Sequence, residues 1–178
     1  MAIPAIPAQK AACVAGQPTA ASYTWNFQNE TNQIFKDIQS DAQQALYDAD
    51  TLQSYRLNPD VDWRTYGDQL NQVKDYINDM GAKLCRLEAI RRVAAPWQQR
   101  EIDQIATSLR LMADNTEDAI MLGNARPTDL WSAAYRLNLN NLDAETRGLT
   151  HSVGKAVEYP GVSKKYQSLR QGLGAPAS

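Results

Sequence analysis

Between Trp63 and Leu87 the chain places Trp63, Tyr66, Leu70, Val73, Ile77, Met80, Leu84 and Leu87 in steps of three and four without a break. Apolar residues at a mean spacing of 3.5 define one face of an α-helix that supercoils gently left-handed against a neighbour. Such a helix is amphipathic and gains most of its stability from packing, so it needs partners of similar length. What the remaining residues can supply as partners therefore decides the fold.

They supply helices. Phe27, Ile34, Ile38, Ala42, Ala45, Ala49 and Leu52 share one face of a helix predicted over 23–57, and Asn58-Pro59 ends it because the residue before a proline is pushed out of the α region. The striped helix is predicted over 63–94, with Asp60 or Asp62 as its cap. Pro96 suits the first position of a third helix, 96–122, which carries Ile102, Ile105, Leu109, Met112, Thr116 and Ile120 inward and closes at Gly123-Asn124. A fourth is predicted over 128–158, with Trp131, Tyr135, Leu142, Leu149 and Val153 on one face and Tyr159-Pro160-Gly161 as its stop. Residues 159–178 read as a tail. Trp25, Trp63, Trp97 and Trp131 each stand near a helix start, 34 to 38 residues apart, a spacing that suggests a solenoid repeat. Each interval holds one long helix rather than a hairpin, so the expected fold is all-α: an antiparallel up-down four-helix bundle with an extended N-terminal arm.

The arm, residues 1–22, is Ala/Pro-rich and nearly uncharged. It lacks the basic start and apolar core of an export signal, and reads as the stretch that follows a removed one, with Met1 an added initiator. The competing reading is a plain disordered cytosolic tail. Cys13 lies in this arm and Cys85 beside the stripe of the second helix. In an exported chain the two are expected to form a disulfide that straps the arm to the bundle, and closing a loop of this length contributes roughly 4 kcal/mol in the entropic account. Two free thiols are the alternative.

Composition removes several classes of function. The formal net charge is −2, with 18 basic and 20 acidic side chains spread along the chain, which excludes a strongly basic nucleic-acid binder. No apolar run is long enough to span a membrane. One histidine and two cysteines do not furnish a zinc ribbon or an iron–sulfur site. His151 lies on the polar side of its helix, so neither haem ligation nor a Ser-His-Asp set is expected, and no acidic residue precedes it by three positions as a di-iron site requires. Asp37/Asp41 and Asp75/Asp79 are i, i+4 carboxylate pairs among polar neighbours and read as solvated faces. No cofactor, catalytic residue or metal site is expected.

Two features rise above this background. Asn138, with Thr31, Thr116 and Thr146, is placed on the interior side of the helices, either fixing helix register or forming a polar ligand site. Arg86, Arg91, Arg92 and Arg100 gather around the second bend, complementing a helix dipole or holding an anion or acidic partner.

The strings LCRLEAIRRVAAPWQQREIDQ, LRLMADNTEDAI and CVAGQPTAASYTW resemble a set of small bacterial proteins that are expected to be exported, helical and functionally uncharacterised. The likeness runs over about 13–158 and carries no activity or site with it. The expected protein is periplasmic or secreted, a non-enzymatic envelope binding or interaction module with an unknown protein or small-molecule partner. The alternative is a carrier of a small ligand or metal inside the bundle. Spare apolar surface at Trp25 or on the last helix would make it a homodimer; otherwise it is a monomer.

Overall fold

The computed structural model describes residues 27–55, 58, 60–130 and 132–172. The arm, Cys13, Trp25 and Trp131 lie outside the described residues. Four helices follow one another: α1 (Phe27–Tyr55), α2 (Trp63–Ile90), α3 (Pro96–Ala125) and α4 (Ala133–Gly172), with a single 3-10 turn, Arg91–Val93, between α2 and α3. α1 and α3 each pack against both α2 and α4, so the helices form a four-cornered bundle.

Cross-helix bonds give the directions. Lys83 pairs with Asp41 and Arg86 with Glu30, so α2 descends as α1 rises. Gln53 Nε2 donates to the Leu139 carbonyl (2.9 Å) and Thr150 Oγ1 to the Ala42 carbonyl (3.2 Å), which sets α4 antiparallel to α1. That second bond requires close backbone approach, and α1 allows it by presenting Ala42, Ala45 and Ala49 inward. All of the α2 stripe is buried except Leu84, which is partly buried against the core. Asp62 is the cap of α2: its Oδ1 accepts from the Thr65 backbone N–H at 3.1 Å.

Four boundaries differ from the sequence reading. α2 ends at Ile90 rather than at 94, giving way to the 3-10 turn Arg91–Val93. α3 does not close at Gly123-Asn124 but runs through both to Ala125. The pair serves packing: the Trp63 ring lies against Gly123, and Asn124 Oδ1 accepts the indole N–H at 3.3 Å. α4 does not stop at Tyr159. It continues through Pro160 to Gly172, 40 residues and about 60 Å of helix. The missing proline N–H costs one backbone bond, and the half-buried Pro160 sits inside the helix without ending it. α4 also starts at Ala133, five residues after the expected position, behind two turns in which Asp129 N donates to the Arg126 carbonyl (2.9 Å) and Ser132 N to the Asp129 carbonyl (3.1 Å).

The core is mainly apolar, with Thr31, Asp48, Gln98, Thr116 and Thr146 buried among its aliphatic residues, and it has an aromatic cluster at one end. Tyr55 and Tyr66 meet edge to face at 5.4 Å, and Tyr135 meets Tyr66 at 5.9 Å and Trp63 at 6.3 Å. At the opposite end Trp97 packs between Phe35 (6.2 Å) and Tyr159 (4.6 Å).

Candidate functional site

The structure buries the three threonines singled out from sequence and leaves Asn138 half-buried. Thr31, Thr116 and Thr146 are fully buried, but each hydroxyl donates to the carbonyl four residues back in its own helix: Phe27 (2.7 Å), Met112 (2.7 Å) and Leu142 (2.6 Å). Their polar demand is met without a ligand. Asn138 is only half-buried, because Leu139 takes the inward position of that turn and continues the steps Tyr135, Leu139, Leu142, Thr146 and Leu149.

The arginine group is divided. Arg86 binds Glu30 at 2.6 Å, and Arg91 grips Asp103 with a two-pronged contact of 2.8 and 2.6 Å that ties the 3-10 turn to α3. Arg92 is exposed in that turn, and Arg100 alone faces a concave surface. Cys85 is half-buried on α2, and its proposed partner Cys13 lies outside the described residues.

The concave surface is a groove of about 680 Å³ between α3 and α4. α3 lines it with Trp97, Arg100, Glu101 and Gln104, residues at helical spacing on one ridge. α4 lines it with Gly148, His151, Ser152, Lys155, Ala156 and Tyr159. The Trp97–Tyr159 ring pair, tilted by 42°, walls one end. Glu101 is half-buried in the floor, and its Oε1 is shielded from solvent without a hydrogen-bond partner. Burial pushes the Glu101 carboxyl above the usual carboxylate range, with the Ser152 hydroxyl beside it pulling the other way. Ser152 Oγ also lies 3.2 Å from the Leu149 carbonyl as a donor.

Electrostatically the groove differs from the α1 faces. There, Asp41, Glu30 and Asp50 neutralise Lys83, Arg86 and Arg147. Arg100 and Lys155 form no ion pair among the described residues, so a cation stands on each bank without a directly bonded carboxylate. The set can bind an anionic or mixed-charge surface, and its rings can cover an apolar group. Among the described residues no group of three or more His, Cys, Asp or Glu could hold a metal ion.

Sequence reading had Arg100 in view but missed the other groove residues. Trp97, Lys155 and Tyr159 become neighbours only once α4 is known to pass Tyr159 unbroken, and Glu101 looks like any charged helix position until α4 covers it.

Two more ionisable groups are buried elsewhere. Asp48 on α1 has burial raising its carboxyl pKa and a bond to Gln69 lowering it, with Oδ2 unpartnered. Tyr135 carries an unpartnered hydroxyl in the aromatic cluster, and burial holds the phenol firmly neutral.

Fold and groove together define an all-α four-helix bundle with a surface cleft along one helix pair. Compared with protein-family models, curated proteins and solved structures, the chain matches none. Among the described residues no helix is long and apolar enough to cross a membrane.

Proposed function

We propose that this chain is a non-enzymatic binding or interaction module of the bacterial cell envelope, and that it docks its partner in the α3–α4 groove. The observation that carries the reading is the pair of cations without a directly bonded carboxylate, Arg100 and Lys155, on the groove banks above the half-buried Glu101. Lys83, Arg86 and Arg147 are each bound to a carboxylate, whereas Arg100 and Lys155 flank a concave surface with an aromatic end wall, a combination suited to a partner. The interior offers the carrier reading less support, since its buried threonines are satisfied within their own helices.

Export and the Cys13–Cys85 disulfide belong to the same reading. They are supported by the composition of the arm, by the likeness to exported bacterial proteins, and by the fact that no cysteine among the described residues is a free thiol.

The test is a photo-reactive side chain at Gln104 in protein exported to the envelope, with the exposed Asp75 of α2 as control position. A discrete adduct from Gln104 and none from Asp75 is the expected result. Equal labelling from both, or none from Gln104, overturns the groove as a docking surface. Native mass spectrometry of the same material without reductant should give the bare chain lacking two thiol hydrogens. A retained small molecule would favour the carrier, and free thiols would overturn export.

A further inference from the structure

Beyond Tyr159, which meets Trp97 in the first turn of α3, α4 carries on to Gly172. This stretch holds the largest group of exposed apolar side chains in the described residues: Tyr159 is 48% exposed, Val162 64%, Tyr166 63% and Leu169 57%. Their spacing of three, four and three makes a heptad stripe, the same signature that α2 buries in the core. At 100° per residue, His151, Lys155, Tyr159, Val162, Tyr166 and Leu169 fall within one arc of about 80°. The α4 bank of the groove and the bare stripe are thus a single helix face about 30 Å long. Its first half runs beside α3 and its second half lies past the point where α3 begins.

Charge selects the occupant. From 148 to 172 the chain has four basic side chains and one acidic one, Glu158, in a protein whose net charge is −2. Lys164 and Lys165 are exposed within the stripe segment, and Lys155 and Arg100 stand in the groove. A second copy of this chain laid along the stripe would set two basic faces together. Four exposed apolar residues also make too small a patch for a stable dimer, which buries about 800 Å² per partner. A helix with an apolar seam and acidic flanks satisfies both halves of the face: its seam covers Val162, Tyr166 and Leu169, and its carboxylates meet Lys155, Lys165 and Arg100.

Building on the groove reading above, we infer that this continuous face of α4 docks an acidic amphipathic helix of another protein. The probes are two fluorescent synthetic helices about three heptads long, with Leu at a and d and either Glu or Lys elsewhere. They are titrated by anisotropy into the full chain at low and at physiological salt. The Leu/Glu helix should bind saturably, at least about tenfold more tightly than the Leu/Lys helix, and more weakly as salt rises. Tyr166→Asp with Leu169→Asp, both exposed sites, should weaken it by about tenfold or more with unchanged helical circular dichroism. Arg100→Gln with Lys155→Gln should remove much of the salt dependence.

Absence of saturable binding, or equal binding of the Leu/Lys helix, overturns the inference. So does self-association in light scattering that the stripe variant abolishes, which would identify a second copy. Stripe-dependent binding to phosphatidylglycerol vesicles in preference to the peptide would replace the protein partner with a membrane surface. If the Gln104 adduct forms but no peptide binds, the groove reading stands and the acidic helix fails. If only the stripe variant matters, the groove reading fails instead.

Discussion

The indole of Trp63, at the start of α2, occupies the space that a side chain on Gly123 of α3 would fill. A Cβ built on Gly123 would collide with three ring carbons, the third nearest only 2.6 Å away. Gly123→Ala should therefore destabilise the protein by about 2 kcal/mol, because overpacking against a ring wedged between helices outweighs the gain in helix propensity. Gly81 of α2 has nothing within 4 Å of its own virtual Cβ. Gly81→Ala should stabilise by about 0.5–1 kcal/mol. Urea unfolding of the two variants checks the opposite signs, and a stabilising Gly123→Ala would show that the indole does not sit there.

Asp48 should make stability fall with rising pH. Burial, the larger influence, raises its carboxyl pKa in the folded state. Its contribution is therefore fully present below the unfolded pKa and is lost as pH rises through the folded one. Asp48→Asn should raise the melting temperature at pH 7, and the gain should shrink on acidification below the ordinary carboxylate range. A variant that is less stable than the wild type at pH 7 would mean that the charged form has a partner.

Thr116→Val and Thr146→Val should each change stability by less than about 1 kcal/mol. Both hydroxyls bond a carbonyl that helix geometry already pairs, so removing them leaves no stranded acceptor. A loss of several kcal/mol, read from denaturant midpoints, would point to a polar interior role for these residues.

Pro160 interrupts the backbone bonding of α4, and a proline inside a helix costs roughly 3 kcal/mol relative to alanine. Pro160→Ala should slow amide hydrogen exchange across 161–172 while moving the global melting temperature little, since the core ends near Ala156. Unchanged protection in those turns would count against a continuous α4.

The bundle could be read early because its signals are local and periodic. A heptad stripe depends only on the order of residues, which is why the α2 face and the inward Ile and Leu of α3 are found where expected. Local punctuation misled in two places for one reason. Gly123-Asn124 and Tyr159-Pro160-Gly161 resemble helix stops in isolation, yet the first is shaped by an indole from another helix and the second lies where α4 runs past its neighbour. Gly and Pro weaken a helix without forbidding it, so tertiary contacts decide whether it ends.

Sequence alone determined that four amphipathic helices must bury their stripes against one another, because hydrophobic periodicity is written residue by residue. Only the tertiary structure decided which charges are spent and which remain. It paired Arg86 with Glu30 and Arg91 with Asp103, left Arg100 and Lys155 open across Glu101, and carried α4 past α3 with its stripe bare. Those outcomes depend on which helix faces meet and at what register, and that is a property of the packed bundle rather than of any segment of the chain.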